Sequence, residues 1–195
     1  MGNSLNGKKI AILVADGFEQ IELTGPKEAL EAAGAEIEIV SPAEGEVQGW
    51  NHDEKADLFR VDMPLNLARS ADYDALLLPG GVRNPDQLRT MTRAVEFVDG
   101  FIATGKPVAA ICHAPWLLIE TNWIKGKTIT SWPSLKSDLV NAGAHWVDRD
   151  VVVDNGLVTS RKPADIPAFN KKMIQVFAEV RPTRRGAASM GQRAA

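Results

Sequence analysis

The chain has one cysteine in 195 residues, which excludes an intrachain disulfide framework. It has three histidines, and none shares metal-ligand spacing with the cysteine or with acids, which argues against a zinc site. No apolar run approaches the ~18 residues that a spanning helix needs. The stretch 1–9 is polar and lacks the apolar core of a signal peptide. Neither a G-x-G-x-x-G nor a P-loop pattern occurs, so no familiar phosphate cradle is written here. Charge of one sign is missing too: the formal net charge is −3, with no global pull toward nucleic acid or an anionic membrane. There are no internal repeats. These absences predict a cytoplasmic protein with no cofactor, no metal, no membrane partner and no specific nucleic-acid partner. In a reducing cytoplasm a lone thiol stays reactive.

What is present is an alternation of short apolar runs and amphipathic stretches. Strands are predicted over 8–15, 36–40, 75–78, 108–111, 128–132, 146–153 and 157–160. Helices are predicted over 19–33, 65–70, 86–103, 115–120, 134–141 and 163–180. Residues 43–64 read as a β-hairpin excursion. A second hairpin turns at Asp154-Asn155-Gly156, where Asn-Gly is favoured turn chemistry. Strands alternating with helices imply an α/β fold, a mostly parallel sheet with helices on both faces. The prediction is one domain over 7–181, then a tail over 182–195 rich in Arg, Gly, Ala and Ser, expected to be disordered.

The lone cysteine, Cys112, ends the buried run 108–111 and is followed at once by a helical stretch starting at Pro115. Strand, sharp turn and helix with a nucleophile at the turn is the logic of a nucleophile elbow. Small residues are needed beside such a turn, and Ala110 and Ala114 supply them. A buried lone cysteine is ordinarily a small hydrophobe. Here the helix start favours thiolate, and His113 is positioned as base or imidazolium partner. In parallel sheets the site lies outside the carboxyl ends of the strands. Three segments converge there: 16–22, 79–86 and 112–113.

Within them, Glu19 and Glu22 share a helix face, and one of the two is expected to reach the Cys112 sulfur. A buried carboxyl beside a thiolate has a raised pKa and serves as acid or base. Gly80 and Gly81 let backbone N–H groups face a substrate oxygen and, with the N–H of His113, form an oxyanion hole. Trp116 and Trp132 fall just past strand ends, where either can wall the site. Trp50, Trp123 and Trp146 read as core or interface. His52 is expected to be exposed and His145 structural.

The segments DGFEQIEL, LLLPGG with PDQLR, AAICHAP, NAGAHWVDRDVVVD and LVTSRKPADIPAF, in this order and spacing, resemble the PfpI-type intracellular protease branch of the ThiJ/PfpI superfamily over about residues 8 to 181. The resemblance implies a flavodoxin-like three-layer sandwich with an elbow cysteine, here Cys112, and His113 beside it. It puts the acid that touches the sulfur on Glu22, with Glu19 close by. It also implies a third triad acid donated by a neighbouring subunit, here Asp86 where many relatives have Glu, and hence a homo-oligomer (dimer or hexamer) with its site near the interface. Another branch has a histidine where this chain has Trp132, so a mechanism through that residue does not carry over. The activities implied are attack by a thiolate on glyoxal-type aldehydes or early glycation adducts, in a stress-protection role. The alternatives are peptide hydrolysis by Cys112, His113 and Asp86, and redox sensing or chaperone-like protection without turnover.

Overall fold

The computed structural model describes residues 4–179. Its strands are β1 (Lys9–Leu13), β2 (Phe18–Glu19), β3 (Glu36–Ser41), β4 (Glu46–Asn51), β5 (Glu54–Arg60), β6 (Met63–Pro64), β7 (Ala75–Leu78), β8 (Val108–Ile111), β9 (Thr128–Ile129), β10 (His145–Trp146), β11 (Val151–Asp154) and β12 (Leu157–Ser160). Its helices are α1 (Gln20–Ala32), α2 (Arg83–Arg89), α3 (Thr92–Ala103), α4 (Pro115–Leu118), α5 (Lys136–Asn141) and α6 (Ile166–Glu179). Seven strands form the central sheet in the order β11-β12-β8-β7-β1-β3-β6. Every neighbouring pair is parallel except β11 with β12.

The near-continuous apolar runs follow from burial on both faces of a covered sheet. Successive side chains point to opposite faces, so each strand serves two cores. Ile10, Ile12, Leu77, Ala109 and Ile111 pack with Leu23 and Leu30 of α1 and Phe169, Met173 and Phe177 of α6. Ala11, Leu13, Leu76, Leu78, Val108 and Ala110 pack with Phe97 and Phe101 of α3 and Leu117 of α4. The three-layer α/β sandwich is therefore present. From β1 the chain goes to β3 on one side and to β7 on the other. That reversal opens a crevice at the carboxyl ends of β1 and β7, next to β8, where ligands bind in such sheets.

Over the crevice hangs a smaller sheet, β2-β4-β5, in which β4 and β5 are the predicted hairpin excursion and β2 is an unpredicted third strand. Side chains tie it down. Asp16 accepts the Gln48 N–H at 2.8 Å. Gln20 donates to the Asp57 carboxylate at 2.7 Å and accepts the Asp57 N–H at 2.8 Å.

Several predicted elements are corrected. Residues 65–70 form no α-helix; one turn closes on the Pro64 carbonyl, followed by a 3-10 turn at Ser70–Asp72. A segment of that length cannot offset the cost of helix nucleation alone. The single helix expected over 86–103 is two, α2 and α3. Thr90 Oγ1 donates to the Gln87 carbonyl at 2.8 Å and closes α2, while Met91 is extended, with ψ 109. The strand expected over 128–132 shrinks to β9, and the one expected over 146–153 divides: β10 pairs with β9 alone, while β11 pairs antiparallel with β12 as the expected hairpin. The reading of 182–195 as a disordered tail lies outside the described residues, as do the last two residues of the predicted domain.

Candidate active site

Cys112 follows β8 with φ 63, in the left-handed region that non-glycine residues avoid. Such a conformation costs about 1–3 kcal/mol and persists only where the surroundings enforce it. Here the Cys112 N–H donates to the Ser160 carbonyl at 3.0 Å, and its carbonyl accepts the Trp132 N–H at 2.9 Å. The consequence is a change of side. By strand alternation residue 112 would join the α3 and α4 core with Ala110. Instead it packs in the α1 and α6 cluster with Ile111. That is where Glu22 lies.

Glu22 is completely buried on α1. Its Oε2 accepts the Gly80 N–H at 2.9 Å, and its carboxyl is hydrogen-bonded to Cys112. Burial, more than any other influence, pushes this carboxyl up to about 8, and the charge of Glu19 adds to the rise. Burial and the Glu22 charge likewise push the Cys112 thiol up, while the Gly81 and His113 N–H groups pull it down. Both shifts favour the protonated forms, so the pocket does not hold two negative charges at neutral pH. His113 Nδ1 stands 3.2 Å from Cys112 Sγ. Burial lowers its pKa to about 4, so the ring is neutral at pH 7. The thiolate expected from a helix start and an imidazolium thus lacks both supports: α4 is a single turn and His113 is uncharged. What favours thiolate here is the pair of backbone N–H groups, of Gly81 and His113.

Gly80 and Gly81 have separate tasks. A Cβ on Gly80 would fall 2.5 Å from Glu22 Oε2 and 2.7 Å from Cys112 Cβ. Its N–H is committed to Glu22, so it faces the carboxyl and not a substrate oxygen. The N–H groups directed at the sulfur are those of Gly81 and His113. Asn84, which sequence reasoning passed over, holds this loop. It is buried, accepts the Ala15 N–H at 2.7 Å, and donates to the carbonyls of Pro79 and Gly80 at 2.8 and 3.1 Å. Its only signal is an amide-bearing residue just past a Gly-Gly turn.

Cys112 lies on the floor of a cleft of about 490 Å³, and is 6% exposed. Trp132 stacks on the His113 ring, centroids 5.7 Å apart, and walls the cleft with Pro163. Trp116 does not; its Nε1 donates to Asp138 at 2.9 Å on another face. Glu19 lines the cleft, but its Oε2 accepts the His52 N–H at 3.1 Å and so reaches the hairpin tip. His52 is exposed, as expected, yet it lines the cleft. Trp50 and Arg83, not foreseen as site residues, also line it. Asp86 is exposed in the first turn of α2 and outside the cleft of its own chain. Among the described residues no group of three or more His, Cys, Asp or Glu side chains is arranged to hold a metal ion. No helix of the described residues is long and apolar enough to cross a membrane.

Fold and site together define an α/β protein with an elbow cysteine held over a buried carboxyl. The profile of the DJ-1/PfpI family matches residues 8–176, and the chain belongs to that family. It is 44% identical over 170 residues to a Bacillus subtilis protein named "Putative cysteine protease YraA", covering 87% of this chain and 98% of that one. Its structure is similar to Drosophila melanogaster DJ-1beta, with TM-score 0.80 and 28% identity over 88% of this chain and 91% of that one. A two-domain protein from Anabaena variabilis, with DJ-1/ThiJ/PfpI-like and ferritin-like domains, matches with TM-score 0.80 and 33% identity. There the match covers 86% of this chain but 47% of that one, about half the length of the larger protein.

Proposed function

We propose that the protein is a cysteine-dependent enzyme whose Cys112 attacks the carbonyl carbon of glyoxal-type aldehydes or early glycation adducts. The observation that carries this reading is the position of the sulfur, 6% exposed at the floor of a cleft of about 490 Å³. A small carbonyl compound fits that depth better than an extended peptide. In the shared step the sulfur–carbon bond forms and the carbonyl π pair moves to oxygen. The neutral His113 ring, 3.2 Å from the sulfur, takes the thiol proton, the Glu22 carboxyl gives its proton to the oxygen, and the Gly81 and His113 N–H groups beside the sulfur stabilise the charge as it moves. With methylglyoxal the net reaction is addition of water, the aldehyde carbon being oxidised and the ketone carbon reduced, so no external oxidant is needed.

The second reading, peptide hydrolysis, is favoured by the name of the Bacillus subtilis relative. It needs an acid to orient His113. Within its own chain Asp86 is outside the cleft, so this reading depends on a neighbouring subunit of a homo-oligomer. Redox sensing without turnover is the third. A panel on wild type and Cys112→Ser separates them. Turnover of methylglyoxal or of a glycated adduct, lost in Cys112→Ser, supports the proposal. Cleavage of fluorogenic peptides alone overturns it in favour of the peptidase. Protection without any turnover, abolished by peroxide titration of Cys112, overturns both. A reducing cytoplasm and a stress-protection role belong to the same proposal.

A further inference from the structure

The first residue of α2, Arg83, sits at the rim of the cleft, with its guanidinium 4.4 Å from the centre of the Trp50 ring. Its stem crosses the turn after β1, where a Cβ on Gly17 would fall 2.6 Å from Arg83 Cβ. Trp50 is itself fixed, since it is half-buried on β4 and pairs in register with Glu19 of β2. Among the described residues Arg69, Arg89, Arg93 and Arg161 each pair with an acid. Arg60, Arg83 and Arg149 have no ion pair among the described residues, and of these three only Arg83 lines the cleft, where Glu19 and Asp53 also stand without pairing with it. Glu19 is turned toward the hairpin tip, holding the His52 N–H at 3.1 Å with the His52 ring nitrogen at 3.8 Å. A guanidinium presents five N–H donors in a planar fork that matches a carboxylate, and stacking on an aromatic face pre-organises it. A cation–π contact leaves the edge of the fork free for a second partner.

We propose that Arg83, laid over Trp50, receives a carboxylate of the substrate, so that the compounds delivered to Cys112 carry a carboxylate as well as the reacting carbonyl. This rests on the reading of Cys112 as a carbonyl-attacking nucleophile, and it names the substrate class. Arg83 is a specificity residue that binds the charged end while Cys112 meets the carbonyl.

One measurement does not depend on turnover. The rate of alkylation of Cys112 by iodoacetate is divided by that by iodoacetamide, for wild type, Arg83→Lys and Arg83→Gln. The two reagents share a reacting carbon and differ in a carboxylate. The ratio is expected to fall about tenfold in Arg83→Gln, with Arg83→Lys between. High salt is expected to compress the wild-type ratio. An equal ratio in wild type and Arg83→Gln overturns the proposal and leaves Arg83 as a packing partner of Trp50. The second measurement uses the methylglyoxal hemithioacetals of N-acetylcysteine and of N-acetylcysteine amide. The acid should lose about tenfold in kcat/KM relative to the amide in Arg83→Gln. A common factor for both substrates overturns the proposal. If wild type turns over neither compound, the catalytic reading fails, while the alkylation ratio still decides the role of Arg83.

Discussion

The buried carboxyl of Glu22 lies against Cys112, and burial pushes both groups toward their protonated forms. Folding raises the Glu22 pKa from 4.5 to about 8. The folded state therefore binds a proton that the unfolded chain releases above pH 4.5. Stability is unaffected by this group below that pH and declines as pH rises toward 8, by up to about 5 kcal/mol. Glu22→Gln keeps an acceptor for the Gly80 N–H but does not ionise. Its denaturation midpoint should exceed that of wild type increasingly between pH 5 and pH 8, and the two should converge at pH 4. A constant difference across this range would show that Glu22 ionises freely in the native protein.

His113 should titrate near pH 4, because burial disfavours its cation. An imidazole proton titration followed by NMR measures this directly. Cys112→Ser should leave the midpoint well below the usual ~6.5, since the cause is burial and not the sulfur. A wild-type midpoint at or above 6.5 that falls in Cys112→Ser would instead reveal a thiolate–imidazolium pair.

Gly80 is required by contact, not by turn geometry. In Gly80→Ala the new Cβ would fall 2.8 Å from the Ile111 carbonyl as well as against Glu22 and Cys112. The Ile111 carbonyl and the Cys112 Cβ cannot move without moving the end of β8. We expect a loss of about 3 kcal/mol or more, with loss of Cys112 reactivity. Gly105→Ala is the control. Unlike Gly80, Gly105 has a positive φ, 67, but a Cβ there meets nothing within 4 Å. That substitution should cost only about 1 kcal/mol. Chemical denaturation of both variants checks the contrast.

Asp86 tests whether a neighbouring subunit completes the site. It is exposed on α2, and its side chain makes no hydrogen bond or ion pair among the described residues. If it orients His113 of a neighbour, Asp86→Ala and Cys112→Ala should each be inactive as pure homo-oligomers. Mixed after dissociation, they should regain partial activity, because some interfaces then unite an intact Cys112 with an intact Asp86. No recovery despite demonstrated subunit exchange would leave Asp86 as a first-turn acid of α2.

Sequence by itself determined the fold class and the location of the cysteine. Short runs such as Ala75–Leu78 and Val108–Ile111, buried at every position, announce a covered parallel sheet, and that pattern is local. The same locality places Cys112 at the end of a strand and Gly80-Gly81 at the end of its neighbour. What is not local was decided by tertiary structure. That Glu22, and not Glu19, reaches the sulfur depends on which face of α1 packs on the sheet. That Gly80's N–H serves Glu22 depends on two strand ends meeting the side of a helix. The sign of the forces on Cys112 also changed with burial: a short α4 and a neutral His113 removed the supports that adjacency in sequence suggests. Asn84, Arg83 and Trp50 carry no motif, because their roles arise from segments distant in the chain. Side-chain period and turn chemistry are written into neighbouring residues, whereas desolvation and hydrogen-bond partners exist only once the segments are packed.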